Sequence, residues 1–353
     1  MICEFSKKGV YIMNIVIAAY SYIAALVGAG FASGQEILSF FVVYSKAGLL
    51  GIFFSSLIFG YFAYFILNIC RIYNITDYNT LLAKSFCGRF NTVVNIITLI
   101  FTCVVYCVMC ACAGEMLYLL CGIKHIYGNI LLSFLCSVIL ATKNNNALKI
   151  NGFLGIFIVI GICACTIYIL RYREHQTFYN TSRAIIAGAG YAGYNLLGSG
   201  FTLAALSSEI KTKRDAVYTG ILSAIVLFIM TFLIWALLSL YYKFINLGEI
   251  PMLTMSLREN KVIATIYSII LVISVLSTAI SSGFGVLDMT KAHLSRYVCI
   301  TLLAVIGILT SQIGFSSLIN KVYRACGYAG IVIIITLICK LQTKYKKKQD
   351  NER

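Results

Sequence analysis

Charge is scarce in this chain. Only 11% of its 353 residues are Asp, Glu, Lys or Arg, against about a quarter in a soluble globular protein. That scarcity excludes a water-soluble fold, and no stretch is polar enough to form a soluble domain. The long apolar runs lack the apolar–polar alternation of strands, so they read as helices rather than barrel staves. No nucleotide-binding P-loop occurs, which argues against direct drive by ATP. Histidine is nearly absent: His125, His175 and His293 are scattered in or beside loops, and no HExxH motif is found. An intramembrane enzyme would need paired acids or a zinc ligand set, and neither is present.

What the chain has instead is apolar length. It is 60% hydrophobic, with a mean hydropathy of +0.91. A helix crosses a bilayer in roughly 20 residues. Ten spans are predicted, near 10–44, 47–70, 88–121, 126–141, 151–170, 183–208, 215–243, 261–288, 297–313 and 316–340. The third is long enough to tilt or project. The first is too long and too polar at its centre for a cleavable signal peptide. The whole chain reads as one polytopic membrane domain of all-α class, with a basic tail over 341–353.

The net charge of +16 does not point to nucleic acid. The basic residues flank apolar spans in short loops and in the tail, as the positive-inside rule and an anionic inner leaflet require. An even number of spans places both termini on one side. With the termini in the cytoplasm, 18 of the 28 basic residues lie inside. The expected location is the plasma membrane.

The 14 cysteines do not form a disulfide pattern, since most lie within apolar spans as small hydrophobes. Cys103, Cys107 and Cys110 share a helix face. No His or carboxylate joins them, so packing is the better reading than a metal site.

The first span carries an anomaly. "LVGAGFASGQEILSFF" (26–41) puts glycines and a glutamate where burial is deepest. A matching "LLGSGF" occurs at 196–201, an offset of 170 residues, at the head of the second set of five spans. Five being odd, the halves (about 10–170 and 183–340) would lie inverted across the membrane. Glycine-interrupted helices at matching places of two inverted halves point to a transporter binding site. The alternative is close helix packing, for which Gly-x-Gly is equally suited.

A broken helix frees carbonyls for a cation and presents N–H groups to an anion, and it needs a polar cavity around it. Ser33-Gly34-Gln35-Glu36 has capping-box spacing. Glu36 is therefore either a helix cap or an intramembrane proton or cation partner. Glu115, near a span end, suits a solvated role. In the eighth span Thr278, Ser281 and Ser282 share a face, and their hydroxyls are hard ligands that would suit sodium. The alternative is bonding back to helix carbonyls. Tyr106, Tyr194 and Asn195 could each contribute a hydroxyl or amide.

On "GAGFASGQEI", "YNLLGSG…SSEI" and "STAISSGFG" the chain resembles the YkvI-type bacterial membrane proteins, distant members of the amino acid–polyamine–organocation superfamily with the LeuT-type five-plus-five inverted repeat. The resemblance covers essentially the whole chain. It implies broken first and sixth helices, with a solute pocket at Gly28, Ala29, Gly30, Phe31, Ser33 and Glu36, and at Tyr194, Asn195, Gly198, Ser199 and Gly200, faced by Tyr106. It also implies a sodium site at the carbonyls of Ala24 and Val27 with Thr278, Ser281 and Ser282. The Asn-x-x-Arg that follows the paired glycines in neurotransmitter-type symporters is replaced by Phe31-Ala32-Ser33-Gly34, so a second sodium site and an arginine gate there are not expected. The fifth span has no lysine to stand in for sodium. The reading is a secondary transporter of a small polar solute, an amino acid or amine, coupled to sodium. Proton coupling through Glu36, or a solute receptor without flux, is the alternative.

Overall fold

The structure is a computed structural model. It describes residues 2–86, 88–142, 147–170, 183–242, 248–291 and 293–351, and for 2–12, 79, 147–153 and 345–351 the backbone alone. His175 lies outside the described residues. The fold is almost wholly helical, with no strand among the described residues.

Helix coincides with every predicted span. The first comprises α1 (Ile2–Leu26), the single turn α2 (Ala29–Ala32) and α3 (Gln35–Phe40). Then come α4 (Gly48–Tyr73), α6 (Arg89–Cys121), α7 (His125–Ala141) and α8 (Ala147–Ile169). The second half has α9 (Ala184–Leu206), α10 (Lys213–Leu240), α12 (Lys261–Thr290) and α13 (Arg296–Thr310). It ends in α14 (Phe315–Ser317), a π-helical segment (Leu318–Tyr323) and α15 (Arg324–Asn351). Two short helices fall in expected loops, α5 (Tyr78–Ser85) and α11 (Pro251–Glu259). The chain's one proline stands at the first position of α11, where its missing N–H costs nothing. Among the described residues six helices are long and apolar enough to cross a membrane. The 33 residues of α6 span about 50 Å at 1.5 Å each, well beyond a hydrocarbon core of about 30 Å.

Glycine sets the packing. A Cβ on Gly60 of α4 would lie 2.8 Å from the Gly220 carbonyl oxygen of α10. One on Gly188 of α9 would lie 2.5 Å from the Gly51 carbonyl oxygen of α4. One on Gly193 of α9 would lie 2.7 Å from the Ile331 amide of α15. Backbones touch at each crossing, so α4, α9, α10 and α15 form one tightly joined group. On the other side, Gly128 of α7 meets the α6 backbone at Ala113, Gly283 of α12 takes Leu140 of α7, and Gly307 of α13 takes Tyr106 of α6.

This packing corrects one expectation. The sixth span is not broken: α9 runs unbroken from Ala184 to Leu206, through Asn195, Gly198, Ser199 and Gly200. None of its glycines has positive φ. They serve as flat faces against neighbours, Gly200 against the Tyr78 ring and Gly193 against α15. Of the two readings open for this Gly-x-Gly, close packing accounts for Gly200, while Gly198 stays helical without a close neighbour.

The packing account predicts unequal costs within one helix. Gly193→Ala should lower the melting temperature in detergent, since overpacking against backbone costs about 1–3 kcal/mol. Gly198→Ala, whose Cβ would meet only Phe101 at 3.7 Å, should melt like wild type.

Candidate functional site

The break in the first span is real, and its polar groups are accounted for one by one. α1 stops at Leu26, and Gly28 is extended (φ −82°, ψ −173°) before the turn of α2. Gly34 follows in the left-handed region at φ +80°, which only glycine adopts freely, and it caps α3. The Val27 carbonyl accepts from the Ser274 hydroxyl at 3.1 Å, and the Ala32 carbonyl from the Tyr267 hydroxyl at 2.5 Å. The Ser33 carbonyl accepts from the Met252 amide at 2.9 Å. Helices α12 and α11 thus satisfy the backbone that the break exposes, as burial demands.

The expected capping box is not formed, since Gly34 is the N-cap of α3 and no side chain caps it. The Ser33 hydroxyl donates to the Gly30 carbonyl at 2.9 Å and accepts from the Gln35 amide at 3.2 Å. Glu36 does not reach back to the Ser33 amide, which donates to Ala29 at 2.7 Å. Its side chain lies over Gly30 instead: a Cβ there would come within 2.6 Å of the Glu36 Cδ. The second glycine of the motif is the seat of the carboxylate. The first, Gly28, admits Thr278, whose Oγ1 would lie 3.3 Å from a Cβ at that position.

Beside the break lies a cavity of about 440 Å³. The α1 end gives it Ala24, Ala25, Leu26 and Gly28; α9 gives Tyr194, Asn195, Gly198, Phe201, Thr202 and Ala205. From α12 come Thr278, Ser281, Ser282, Phe284, Gly285 and Asp288. α6 contributes Phe101, Thr102, Val105 and Met109. Asp77 and Asp288 stand at the loop end, where Thr76 and Asp77 are exposed. Glu36 and Tyr323 stand at the closed end. There Tyr194 packs against Phe40, Phe101, Tyr191 and Tyr323, with ring centroids 4.7–6.1 Å apart. Beyond this cluster, Arg324 Nη2 donates to the Ser39 carbonyl at 2.6 Å, with its guanidinium over the Phe40 ring.

Glu36 is only 4% exposed. The hydroxyls of Tyr191, Tyr194 and Tyr323 lie within electrostatic reach of its carboxylate. Neither Glu36 Oε2, nor the Tyr194 hydroxyl, nor Thr278 Oγ1 has a hydrogen-bond partner among the described residues. Buried polar atoms left without partners mark places built for something else.

Of the expected site residues, Ala24, Gly28, Glu36, Tyr194, Asn195, Gly198, Thr278, Ser281 and Ser282 line this cavity. Ala29, Gly30, Phe31, Ser33, Ser199 and Gly200 are buried around the break or in α9 but are not among the lining residues. Val27 is also set back, its carbonyl capped by Ser274. Tyr106 faces the wrong way for the pocket, because it packs on Gly307 of α13. A neighbouring stripe of α6, at 102, 105 and 109, lines the cavity instead. Ser282 donates to the Thr278 carbonyl at 2.9 Å, the back-bonding alternative, while its oxygen keeps acceptor capacity. Glu115 is not solvated: it pairs with His125 at 2.8 Å. Among the described residues no three His, Cys, Asp or Glu side chains are grouped to hold a metal ion.

The fold around this cavity is shared with membrane transporters of known structure. It resembles a Na+-coupled sialic acid symporter in its substrate-bound, outward-open state, with a TM-score of 0.64 and 14% identity over 93% of this chain and 78% of that one. It also resembles the manganese transporter of Eremococcus coleocola, with a TM-score of 0.62 and 15% identity over 91% of this chain and 78% of that one. These structural neighbours are transporters, not enzymes. In sequence the chain is similar to the uncharacterized membrane protein YkvI of Bacillus subtilis (strain 168), 24% identical over 334 residues, 91% of this chain and 94% of that protein. No family model matches the chain.

If Gly30 exists to seat Glu36, the two positions must be energetically coupled. Gly30→Ala should destabilise the wild type by about 1–3 kcal/mol. With the carboxylate cut back in Glu36→Ala, the same change should cost distinctly less, a coupling read by a double-mutant cycle of denaturation free energies.

Proposed function

We propose that this protein is a secondary active transporter of a small polar solute, coupled to sodium and working by alternating access between two inverted five-helix halves. The observation that carries this reading is the meeting of the first-span break with the hydroxyl face of α12. Thr278 Oγ1 is buried and unpartnered beside Gly28, and Ser281, Ser282 and Ala24 line the same cavity. Carbonyl and hydroxyl oxygens together are the hard donor set a sodium ion takes. The Val27 carbonyl can join them, since a carbonyl oxygen holds a second lone pair beyond the one that Ser274 uses.

With the termini in the cytoplasm, the loop end at Asp77 and Asp288 faces inward and the Tyr194 cluster closes the outward side. This is the geometry of an inward-open state. Sodium bound between α1 and α12 would draw together the two walls of the cavity, and so bias which side is open.

Sodium should raise the melting temperature of the purified protein above that in potassium or choline at equal ionic strength. A ligand at a hundredfold excess over Kd contributes about 2.7 kcal/mol. Thr278→Val, nearly isosteric, should remove the sodium-selective part. Equal melting in all three salts would overturn sodium coupling.

The unpartnered Glu36 Oε2 supports a second reading, in which Glu36 carries a coupling proton. In proteoliposomes that reading requires uptake that depends on external pH in wild type and loses that dependence in Glu36→Gln. Unchanged pH dependence in the mutant leaves Glu36 to the solute.

A further inference from the structure

The cavity carries charge of one sign. Glu36, Asp77 and Asp288 line it, and among the described residues no lysine, arginine or histidine does. This holds in a chain with 28 basic residues and 12 acidic ones. Asp77 and Asp288 at the mouth are already engaged, one capping α5 through the Thr80 amide at 2.8 Å, the other bound to Lys291 at 2.7 Å. Glu36 at the closed end has no ionic partner among the described residues: it is buried, its Oε2 has no hydrogen-bond partner, and the polar groups around its carboxylate are tyrosine hydroxyls.

The groups that could hold an anion are turned elsewhere: Arg324, beyond the ring cluster, is bound to the Ser39 carbonyl and stacked on Phe40. The amides of Ala32, Ser33 and Gly34 donate to Gly28, Ala29 and Phe31, and Ala29, Gly30 and Phe31 do not line the cavity, with the Glu36 carboxylate lying over Gly30. The unbroken α9 offers no free turn at its own Gly-x-Gly. A buried carboxylate needs an opposite charge or a proton, and the rings of Tyr194, Tyr323 and Phe101 beside it present faces that attract cations. A divalent metal would require several hard ligands, whereas one carboxylate stands here among tyrosines. The rest of the wall, Leu26, Val105, Met109 and Phe201, is apolar.

We propose that the solute is an amine that carries positive charge and no carboxylate, its ammonium seated on Glu36 and its hydrocarbon body along the α6–α9 wall. The inference rests on the transporter reading only in taking this cavity as the solute site. It narrows the solute from any small polar molecule, amino acids included, to cations.

The test uses full-length protein in detergent with sodium present. Binding is measured by thermal shift and calorimetry for two amines, 2-phenylethylamine and 1,5-diaminopentane. Each is compared with its alcohol, 2-phenylethanol or 1,5-pentanediol, and with its α-carboxylated form, L-phenylalanine or L-lysine. At least one amine should bind about tenfold or more tighter than both of its partners. Glu36→Gln should weaken that amine by about tenfold or more, as expected when one member of a buried charge pair is removed. Glu36→Asp, which keeps the charge, should retain part of the affinity. Both variants are required to elute and melt as folded protein. Binding of the amino acids as tight as that of the amines, amine binding indifferent to Glu36→Gln, or binding of neither amine would overturn the proposal. Sodium-selective stabilisation of the wild type, read in the same samples without solute, separates the two failures. If it persists, only the solute class is wrong; if it is missing as well, the sodium-coupled reading of this cavity falls with it.

Discussion

A carboxylate buried in an apolar helix bundle is the constraint around which the first span is built. Glu36 cannot sit there unless its side chain finds room, and a helical neighbour with a Cβ would deny it. Gly30 supplies the room. Gly34, in a left-handed conformation, restarts the helix at the angle that turns Glu36 back over Gly30. The motif thus has a division of labour that its repetition in sequence does not suggest. Gly28 lets Thr278 approach, Gly30 holds the carboxylate, and Gly34 makes the turn.

The same break fixes the elements around it. Each interrupted turn leaves carbonyls that cannot stay unpaired in an apolar surround. Their donors come from elsewhere in the chain: Ser274 and Tyr267 of α12, and the Met252 amide of α11. Helix α12 therefore holds the break by two hydrogen bonds and faces it with the hydroxyls of Thr278 and Ser282. An ion at that face and the conformation of the break would be linked through one helix, with no longer path required.

The positions of the helices were legible in the sequence because apolar length and polar loops are one-dimensional signals. The first break was legible because a glutamate accompanied its glycines at full depth. At 196–201 the glycines stand without a buried acid, since Glu209, just beyond the end of that helix, is exposed. Gly200 remains helical with the Tyr78 ring against it, and Gly198 with only the Phe101 ring nearby. Gly-x-Gly alone does not distinguish an unwound turn from a close crossing; the partner does, and the partner is remote in sequence. The α6 error has a similar cause. Adjoining stripes of that helix are alike apolar and packed, so no periodicity separates Tyr106, turned to α13, from Thr102 and Met109 one turn to either side, which line the cavity. Arg324 was invisible for another reason. No arginine follows the paired glycines, and the one at the closed end stands at the start of α15, some 290 residues on.

The two ends of the cavity differ in what would have to give for it to open the other way. The glycine crossings that join α4, α9, α10 and α15 are backbone contacts and leave no room to slide. The closed end is held by less: one hydrogen bond from Arg324 to the Ser39 carbonyl, a guanidinium over Phe40, and ring contacts among Tyr194, Phe40 and Tyr323. A hydrogen bond from a charged donor is worth about 1.5–3 kcal/mol and an exposed cation–π contact about 0.5–1 kcal/mol. That sum is of the size that binding of one ion or solute can offset. Tyr323 and Arg324 are consecutive, at the junction of the π-helical segment with α15. The segment points one residue into the cavity beside Glu36 and the next at the α3 carbonyl that secures the closed end. π-Helical turns of this kind are frequent at functional sites because they re-aim neighbouring side chains. Here the re-aiming makes a change at the Glu36 end and the release of Arg324 parts of one local rearrangement.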